Sequence, residues 1–457
     1  MGASSAARGG TKGAWPHLII SGRARDAAVF ASGAAAAVLV LVAAASFLAP
    51  SNPAALFGPL PAPGPTTRTR TFYDDPDLSY SVVHGNRLTG WDAKRSAWLR
   101  SRGLDPSSAL VTTRVVMVSG SQPEPCAGKD GDYLLARFLK NKLDYCRLHG
   151  IELLYNRAHL EPTMPGFWAK LPILRAAMLA HPEAEWLWWV DVDAVVTDMD
   201  FSLLPLAAQY NREGYNLVVH GAHDRLFKRR SWLGVNAGVF LIRNCQWSLE
   251  FVDQWARMGP AWPETYSRWG KTLRAQLADR DTDGACDQSA LVYMLLHDWE
   301  RLKSKVRIET EFCFQGYWAD VVDRFPGVAK RYDAVEREQG GGNELLRRRH
   351  AEREHVAYAA ARNAAVRRAV PGPDGGGVSG WRRPFVTHFT GCAPCSGQRN
   401  PIYSRESCDG GIRAALDFAD DQVLRAYGFR HVAPGNDSVT PLPFDYPAAA
   451  PHERGNR

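Results

Sequence analysis

The sequence predicts an α/β fold with a central, mostly parallel sheet, preceded by one transmembrane helix and a stem. Three observations point there. Strand and helix patterns alternate from residue 114 to 190. The strand that closes this run, Trp186-Leu-Trp-Trp-Val190, is apolar throughout, as a strand covered on both faces must be. An uncharged run of Ala, Val and Leu at 27–49 precedes the rest.

Taken in order, residues 1–26 carry Arg8, Lys12, Arg23 and Arg25 and read as a cytosolic tail. As a helix, 27–49 would span about 34 Å, enough to cross a bilayer. After it the next charge is Arg68, so the basic leader predicts a cytosolic N-terminus and a luminal remainder. A cleaved signal peptide is the alternative, but both the apolar run and the leader are longer than one needs. Residues 50–110 read as a luminal stem, Pro-, Ala- and Gly-rich at its start. Residues 111–457 form the expected catalytic domain.

Within that domain, Arg114 to Ser119 is a β-branched run ending at Gly120. Asp132 to His149 spaces Leu135, Phe138, Leu139, Leu143 and Cys146 as a helix would, and Gly150 stops it. Ile151 to Tyr155 is a strand, Trp168 to Leu179 a helix. The alternation implies right-handed crossovers and a ligand site beyond the carboxyl ends of the strands. Asn216 to His220 and Val239 to Ile242 are further strands, and Asp287 to Leu296 a helix. Residues 328–370 are heavily charged and read as a solvent-facing helical insertion broken at Gly340-Gly-Gly342. Gly372 to Gly380 reads as a flexible loop.

The net charge of +7 is scattered, with no basic stripe, so nucleic acid is not an expected partner. Eight cysteines allow disulfides without dictating their connectivity. Cys392 and Cys395 form one C-x-x-C, and the second pair a zinc ribbon needs is missing. Asn436-Asp437-Ser438 is a glycosylation sequon, consistent with a luminal domain.

Two motifs carry chemistry. Asp191-Val192-Asp193 follows the Trp-rich strand. If the chain bends there, both carboxylates face one hard cation such as Mn²⁺ or Mg²⁺. Such a cation neutralises a diphosphate leaving group. Phe385-Val-Thr-His388 then meets the turn Gly391-Cys-Ala-Pro-Cys395. His388 can complete a carboxylate site, and the turn's amides can face phosphate oxygens. The competing reading of His388 is a core histidine beside a disulfide turn.

On these and further stretches the chain resembles plant glycosyltransferase family 34, the xyloglucan 6-xylosyltransferases and galactomannan galactosyltransferases. The stretches include KNKLDYCRLHGIEL from Lys140, WAKLPILRAAMLAHPEAEWLWWVD from Trp168, VNAGVFLIRNCQWSL from Val235, DQSAL from Asp287, RRPFVTHFTGC from Arg382 and FADDQVLRAYGF from Phe418. The resemblance implies a GT-A-type, Rossmann-like nucleotide-sugar domain that is Golgi-anchored, with a UDP-sugar donor, Mn²⁺ or Mg²⁺, and retention of configuration. It implies Asp191, Asp193 and His388 as metal ligands. Ser119, Gly120, Asp191, Gly391 and Ala393 become the expected nucleotide-sugar contacts, and Asp287 and Gln288 lie beside donor sugar and acceptor. The expected acceptors are β-1,4-mannan or β-1,4-glucan, with galactose favoured as the donor sugar. Homo- or hetero-oligomers with related transferases are expected partners.

Three positions depart from the family pattern. Val192 replaces a serine, Cys286 an acid, and Ala393 a lysine or glutamine. They bring in a second class of function, a weakly active or non-catalytic partner in a polysaccharide-synthesising complex. A simpler reading of Asp287 is a helix cap.

Overall fold

A computed structural model of the chain describes residues 71–444, apart from 77, 84–86, 313, 341–345, 347–350, 370–381, 434–435 and 437. All of these belong to the unit that runs from Leu56 to Arg457. Among the described residues no helix is long and apolar enough to cross a membrane. The tail, the anchor at 27–49, the first part of the stem and the loop at 372–380 lie outside them.

The first described helix is α1 (Trp91–Ser101). Then come β1 (Val115–Gly120), α2 (Gly131–His149), β2 (Glu152–Asn156), α3 (Lys170–Ala180), β3 (Trp186–Val190), β4 (Ala194–Val196) and α4 (Leu204–Glu213). β5 (Leu217–Gly221) and β6 (Val235–Arg243) precede α5 (Gln246–Ala256), α6 (Pro263–Gln276) and α7 (Asp287–Leu302). β7 (Val306–Glu309) and β8 (Gly316–Tyr317) lead into α8 (Phe325–Gly340) and α9 (His355–Ala369). The chain ends in β9 (Val386–His388), α10 (Arg405–Leu424) and the hairpin β10–β11 (Phe429–His431, Val439–Pro441).

The central sheet has the order β2-β1-β3-β6-β5-β7. β2, β1 and β3 are mutually parallel, as are β5 and β7. β6 runs antiparallel to both β3 and β5, so the sheet is mixed. The reversal follows from the connection between β5 and β6, which returns the chain along the same edge without a crossover helix.

Side chains of successive strand residues enter opposite layers, as the period of two requires. Leu187, Trp189, Val116, Val118, Phe240 and Ile242 face the layer built on α1, α3, α5 and α7. Trp186, Trp188, Val115, Met117, Val239 and Leu241 face the layer built on α2, α4 and α8–α10. In α2, Leu134, Phe138, Tyr145 and Cys146 are buried at helical spacing. Gly150 ends the helix at φ +63°, where a side chain would be strained.

Two regions differ from the sequence reading. Where a stem is expected up to residue 110, the chain from Thr71 onward folds onto the domain. Phe72, Trp91, Trp98 and Leu99 enter the core, and the Trp91 indole donates to Asn244 at 2.8 Å. Composition misleads here because the apolar residues of α1 are few but large.

The charged insertion is not solvent-facing. α8 and α9 bury one face, and their charges pair inside it. Arg362, 1% exposed, meets Asp200 at 3.0 Å and Glu336 at 2.7 Å. Arg383 reaches Asp200 at 2.6 Å and stacks over Tyr332. Burial alone would raise the Asp200 carboxyl, but Arg362 and Arg383 outweigh it and hold it well below the usual range. Neighbouring Asp198 is pushed up to about 6, by burial and by the charge on Asp200, against the pull of Arg383. Charge patterning cannot distinguish this arrangement from a solvated face, because the pairing partners come from distant segments.

Breaking a buried pair by removing one partner typically costs about 3–5 kcal/mol. Arg362→Ala should therefore lower the guanidinium midpoint by that equivalent at unchanged slope. An unchanged midpoint would show that the network contributes nothing to stability.

Candidate functional site

The sheet leaves its carboxyl edge at Val190, and the next three residues turn out of it. The Asp191 carbonyl accepts from Ala194 N at 3.1 Å. The chain then enters β4, in a second, three-stranded sheet of order β4-β9-β8. This switch of sheets is the bend that lets two carboxylates at i and i+2 face one point. β4 and β9 are antiparallel with Ala194 opposite His388. His388 Nε2 lies 3.0 Å from Asp193 Oδ1 and 3.9 Å from Asp191 Oδ2. All three ligand atoms lie within 4.8 Å of one another.

Gly238, on β6, packs directly beneath this cluster. A Cβ there would stand 2.8 Å from His388 Nδ1 and 2.9 Å from Asp191 Oδ2, so only glycine fits. The Gly238 carbonyl also receives Asp191 N at 2.8 Å. The Trp189 indole donates to Asp191 Oδ1 at 2.6 Å. Two carboxylates and an imidazole in a fixed cradle suit a hard or borderline divalent cation. Burial would raise the Asp193 carboxyl, but the charge and hydrogen bond of His388 outweigh it and hold it below its usual value.

Two buried lysines flank the cluster, and neither is among the expected site residues. Lys142 of α2 donates to the carbonyls of Val192 and Ala194 at 3.0 and 2.8 Å. Burial pushes it down to about 7, against the pull of Asp193 and Asp191. Lys170 of α3 lies 3.2 Å from Asp191 and 2.7 Å from Asp287, and donates to Ala237 O at 2.8 Å. Burial would lower it, yet the two carboxylates outweigh burial and hold it above its ordinary value. The sequence signal for both is a lysine standing on the apolar side of a helix pattern. For Gly238 it is a glycine inside a β-branched strand.

A cleft of about 540 Å³ opens above the cluster, a volume ordinary for a small-ligand site. Gly120, Ser121, Gln122 and Asn156 line one side, Lys170, Trp189 and Asp191 to Asp193 the floor, and Ala393 to Ser396 the far side. Gly120 is tight against β2, where a Cβ would meet Asn156 O at 2.5 Å. The disulfide Cys126–Cys395 ties the loop after β1 to the turn after His388, and Cys392–Cys408 ties that turn to α10. The C-x-x-C pair is thus divided between two disulfides. The turn takes left-handed backbone at Gly391 (φ +84°) and at Ala393 (φ +39°).

The cleft wall includes Gly120, Asp191, Asp193 and Ala393 of the expected residues. Ser119 is fully buried behind it, and His388 and Gly391 stand outside the lining. Asp287 is 5% exposed and reaches the site through Lys170. Burial and the nearby charge of Asp191 raise its carboxyl, with Lys170 offsetting only part. It is not the helix cap. Cys286 occupies that position, its sulfur accepting from Ser289 N. Gln288 has a different occupation from the one expected. Its amide oxygen accepts from Ala237 N at 3.2 Å, and its amide nitrogen donates to Trp232 O at 3.1 Å. Both polar ends therefore brace backbone.

The galactosyl transferase GMA12/MNN10 family matches residues 111–399. A "Probable glycosyltransferase 6" of Oryza sativa subsp. indica is 56% identical, covering 98% of this chain and 98% of its own. The "Galactomannan galactosyltransferase 1" of Cyamopsis tetragonoloba is 47% identical over 88% of this chain and 86% of its own. The "Glycosyltransferase 6" of Arabidopsis thaliana is 47% identical over 83% and 84%.

Because the cradle admits no Cβ, Gly238→Ala should weaken Mn²⁺ binding by at least about tenfold, a loss of roughly 1.4 kcal/mol. The thermal midpoint should fall too, because a Cβ set against His388 Cε1 forces the cradle to shift, so binding is compared at a temperature where the variants remain folded. Electron paramagnetic resonance of free Mn²⁺ measures the binding, and Asp193→Ala serves as the reference for full loss. Undiminished binding in both variants would remove the metal assignment.

Proposed function

The chain belongs to the galactosyl transferase GMA12/MNN10 family and is a glycosyltransferase, and we propose that it is a retaining, metal-dependent, GT-A-type enzyme of the Golgi lumen. It moves galactose from UDP-galactose in α-1,6 linkage onto a β-1,4-mannan. The observation that carries the reading is the convergence of Asp191, Asp193 and His388 at the floor of the cleft that β1, β2 and β3 open onto. The sugar is supported by the likeness to a galactomannan galactosyltransferase over most of both chains.

Asp191, Asp193 and His388 would hold Mn²⁺, with Mg²⁺ as the alternative. When bound, it supplies positive charge to the departing diphosphate. The chain's own residues do the rest. The turn at 391–396 carries backbone amides but no cation at Ala393, so the diphosphate is oriented there by main chain and by the left-handed bend. Lys170 keeps a fixed positive charge between Asp191 and the buried Asp287, which offsets the repulsion between the two carboxylates.

Among the residues lining the cleft, the carboxylates are those of Asp191 and Asp193. Asp287 is engaged by Lys170. This supports a same-face route over double displacement, which needs a free carboxylate on the far side of the anomeric carbon. In that route the bond from the anomeric carbon to the diphosphate breaks. The acceptor's 6-hydroxyl oxygen bonds on the same face, and its proton passes to the departing diphosphate oxygen. Asp287, behind Lys170, holds that lysine in place beside Asp191 and so sets the charge next to the reacting sugar.

Cys286 and Ala393 favour the second reading, a weakly active partner of related transferases. The intact metal cluster opposes it, since a scaffold has no need of one.

Incubating the chain with Mn²⁺ and UDP-galactose or UDP-xylose, each with manno- or cello-oligosaccharides, should give a galactosylated mannan product by mass. Xylosylated cello-oligosaccharide would replace the sugar assignment, and no product from any pairing would favour the partner reading. Asp287→Asn should cost about a hundredfold in rate, typical of a positioned electrostatic group. Unchanged turnover, or a glycosylated Asp287 trapped by mass spectrometry, would overturn its role or the same-face route. In sealed Golgi vesicles, protease should destroy an N-terminal tag and spare the catalytic domain. The opposite pattern refutes the luminal placement.

A further inference from the structure

We infer that the loop joining β5 to β6 presents Trp232 as the platform on which a sugar ring of the β-1,4-linked acceptor stacks. The inference rests on the transferase reading above and goes further by naming a residue for the acceptor.

The starting point is topological. β1, β3 and β5 run in one direction, so Gly120, Val190 and Gly221 end at one edge of the sheet, and the antiparallel β6 begins there at Val235. The cleft takes up the β1–β2 half of that edge, from Gly120 and Asn156 to the carboxylates after β3. On the transferase reading, a nucleotide seated there would place its sugar near Asp191. The acceptor then has to arrive from the other half, which belongs to residues 222–234 and the start of α7.

That loop is held too firmly to be a simple connection. Trp232 N donates to Asp279 at 2.8 Å, and its carbonyl receives Gln288 at 3.1 Å. Ala278 N donates to Arg230 O at 3.1 Å, and Arg230 sits in left-handed backbone at φ +51°. The Arg280 guanidinium lies 5.5 Å from the indole ring centre and reaches Cys286 Sγ at 3.3 Å. Trp232 is partly buried, with one side packed against the core, and Leu233 beside it is 50% exposed.

The loop is also wired to the chemistry. Gln288 holds both Trp232 and Ala237. The Ala237 carbonyl binds Lys170, and Lys170 touches Asp191 and Asp287. An indole at this place matches the acceptor's chemistry. A β-linked pyranose offers a flat face of axial C–H groups that packs on an aromatic ring. Arg280 adds N–H donors of the kind that recognise hydroxyls. Position 286, beside it, carries a thiol, and the Asp279 carboxylate at this wall is taken up by Trp232 N and Ser231.

Trp232→Ala and Trp232→Phe separate the possibilities. In the full chain with Mn²⁺, UDP-galactose and manno-oligosaccharide, Trp232→Ala should raise the acceptor KM by about tenfold, the scale of one lost aromatic contact. Hydrolysis of UDP-galactose without acceptor, and calorimetric UDP binding, should stay within about twofold. Trp232→Phe should restore most of the acceptor KM. An unchanged acceptor KM overturns the platform. So does an equal loss of UDP binding and acceptor use, which would make Trp232 a scaffold residue. If the unaltered chain prefers cello-oligosaccharide, the mannan reading fails and the same variants on that acceptor still decide the platform. If it transfers to neither, saturation-transfer NMR with mannohexaose and cellohexaose decides. Irradiating the aromatic protons should then saturate the ring C–H signals of the oligosaccharide, and Trp232→Ala should abolish most of that transfer. Transfer that is absent from the unaltered chain, or undiminished in the variant, overturns the platform.

Discussion

The site hangs on the short antiparallel pairing of β4 with β9. Three residue pairs, Ala194–His388, Val195–Thr387 and Val196–Val386, bring together segments 195 residues apart. Without that register His388 would not stand beside Asp193. A shift by one residue would turn His388 to the opposite face. So short a pairing cannot be stable by itself, and the molecule reinforces it from behind. Thr197 donates to Pro384 O at 2.7 Å and meets Thr387 at 3.0 Å. Arg383, just before β9, grips Asp200, just after β4. Asn141 of α2 braces the same end through Val196 N and O.

This gives the charged insertion a physical purpose. Arg362 on α9 and Glu336 on α8 extend the Arg383–Asp200 pair into a network that also takes in Arg425. Buried ion pairs add little net stability compared with apolar packing. They do, however, tie the ends of β4 and β9 to α8 and α9 through directed contacts. The network's geometry is thus coupled to that of Asp193 and His388, at the opposite ends of the same two strands.

In front of the pairing, the same edge of the sheet is divided in two. The β1–β2 half is walled by a turn stapled through Cys126–Cys395, and glycines at 120 and 238 let backbone and side chains approach closely. The β5–β6 half is a braced loop carrying Trp232. Lys170 sits between them and touches a carboxylate from each side, Asp191 and Asp287. The buried Asp287 and the partly exposed Asp191 both lie against this one cation, which offsets the repulsion between their like charges.

Much of this was legible in the linear chain. The alternation of strands and helices from 114 to 190, the doubly covered Trp-rich strand, the stop at Gly150 and the two chemical motifs all follow from local periodicity and residue type. Those are properties of neighbours in sequence. What the tertiary structure decided depends on distant partners. That holds for the reversed β6, the burial of 71–110 through Trp91 and Trp98, and the inward-facing charges of α8 and α9. It holds also for the choice of Cys126 for Cys395 and Cys408 for Cys392. Lys142 and Lys170 stand in sequence on the apolar side of a helix pattern, but the carboxylates and carbonyls that surround them come from distant segments. Gln288 looks like a ligand contact until its two amide ends are found on Ala237 and Trp232. A pattern along the chain reports which face a residue turns inward. Which groups meet it there is set by folding contacts the pattern does not contain.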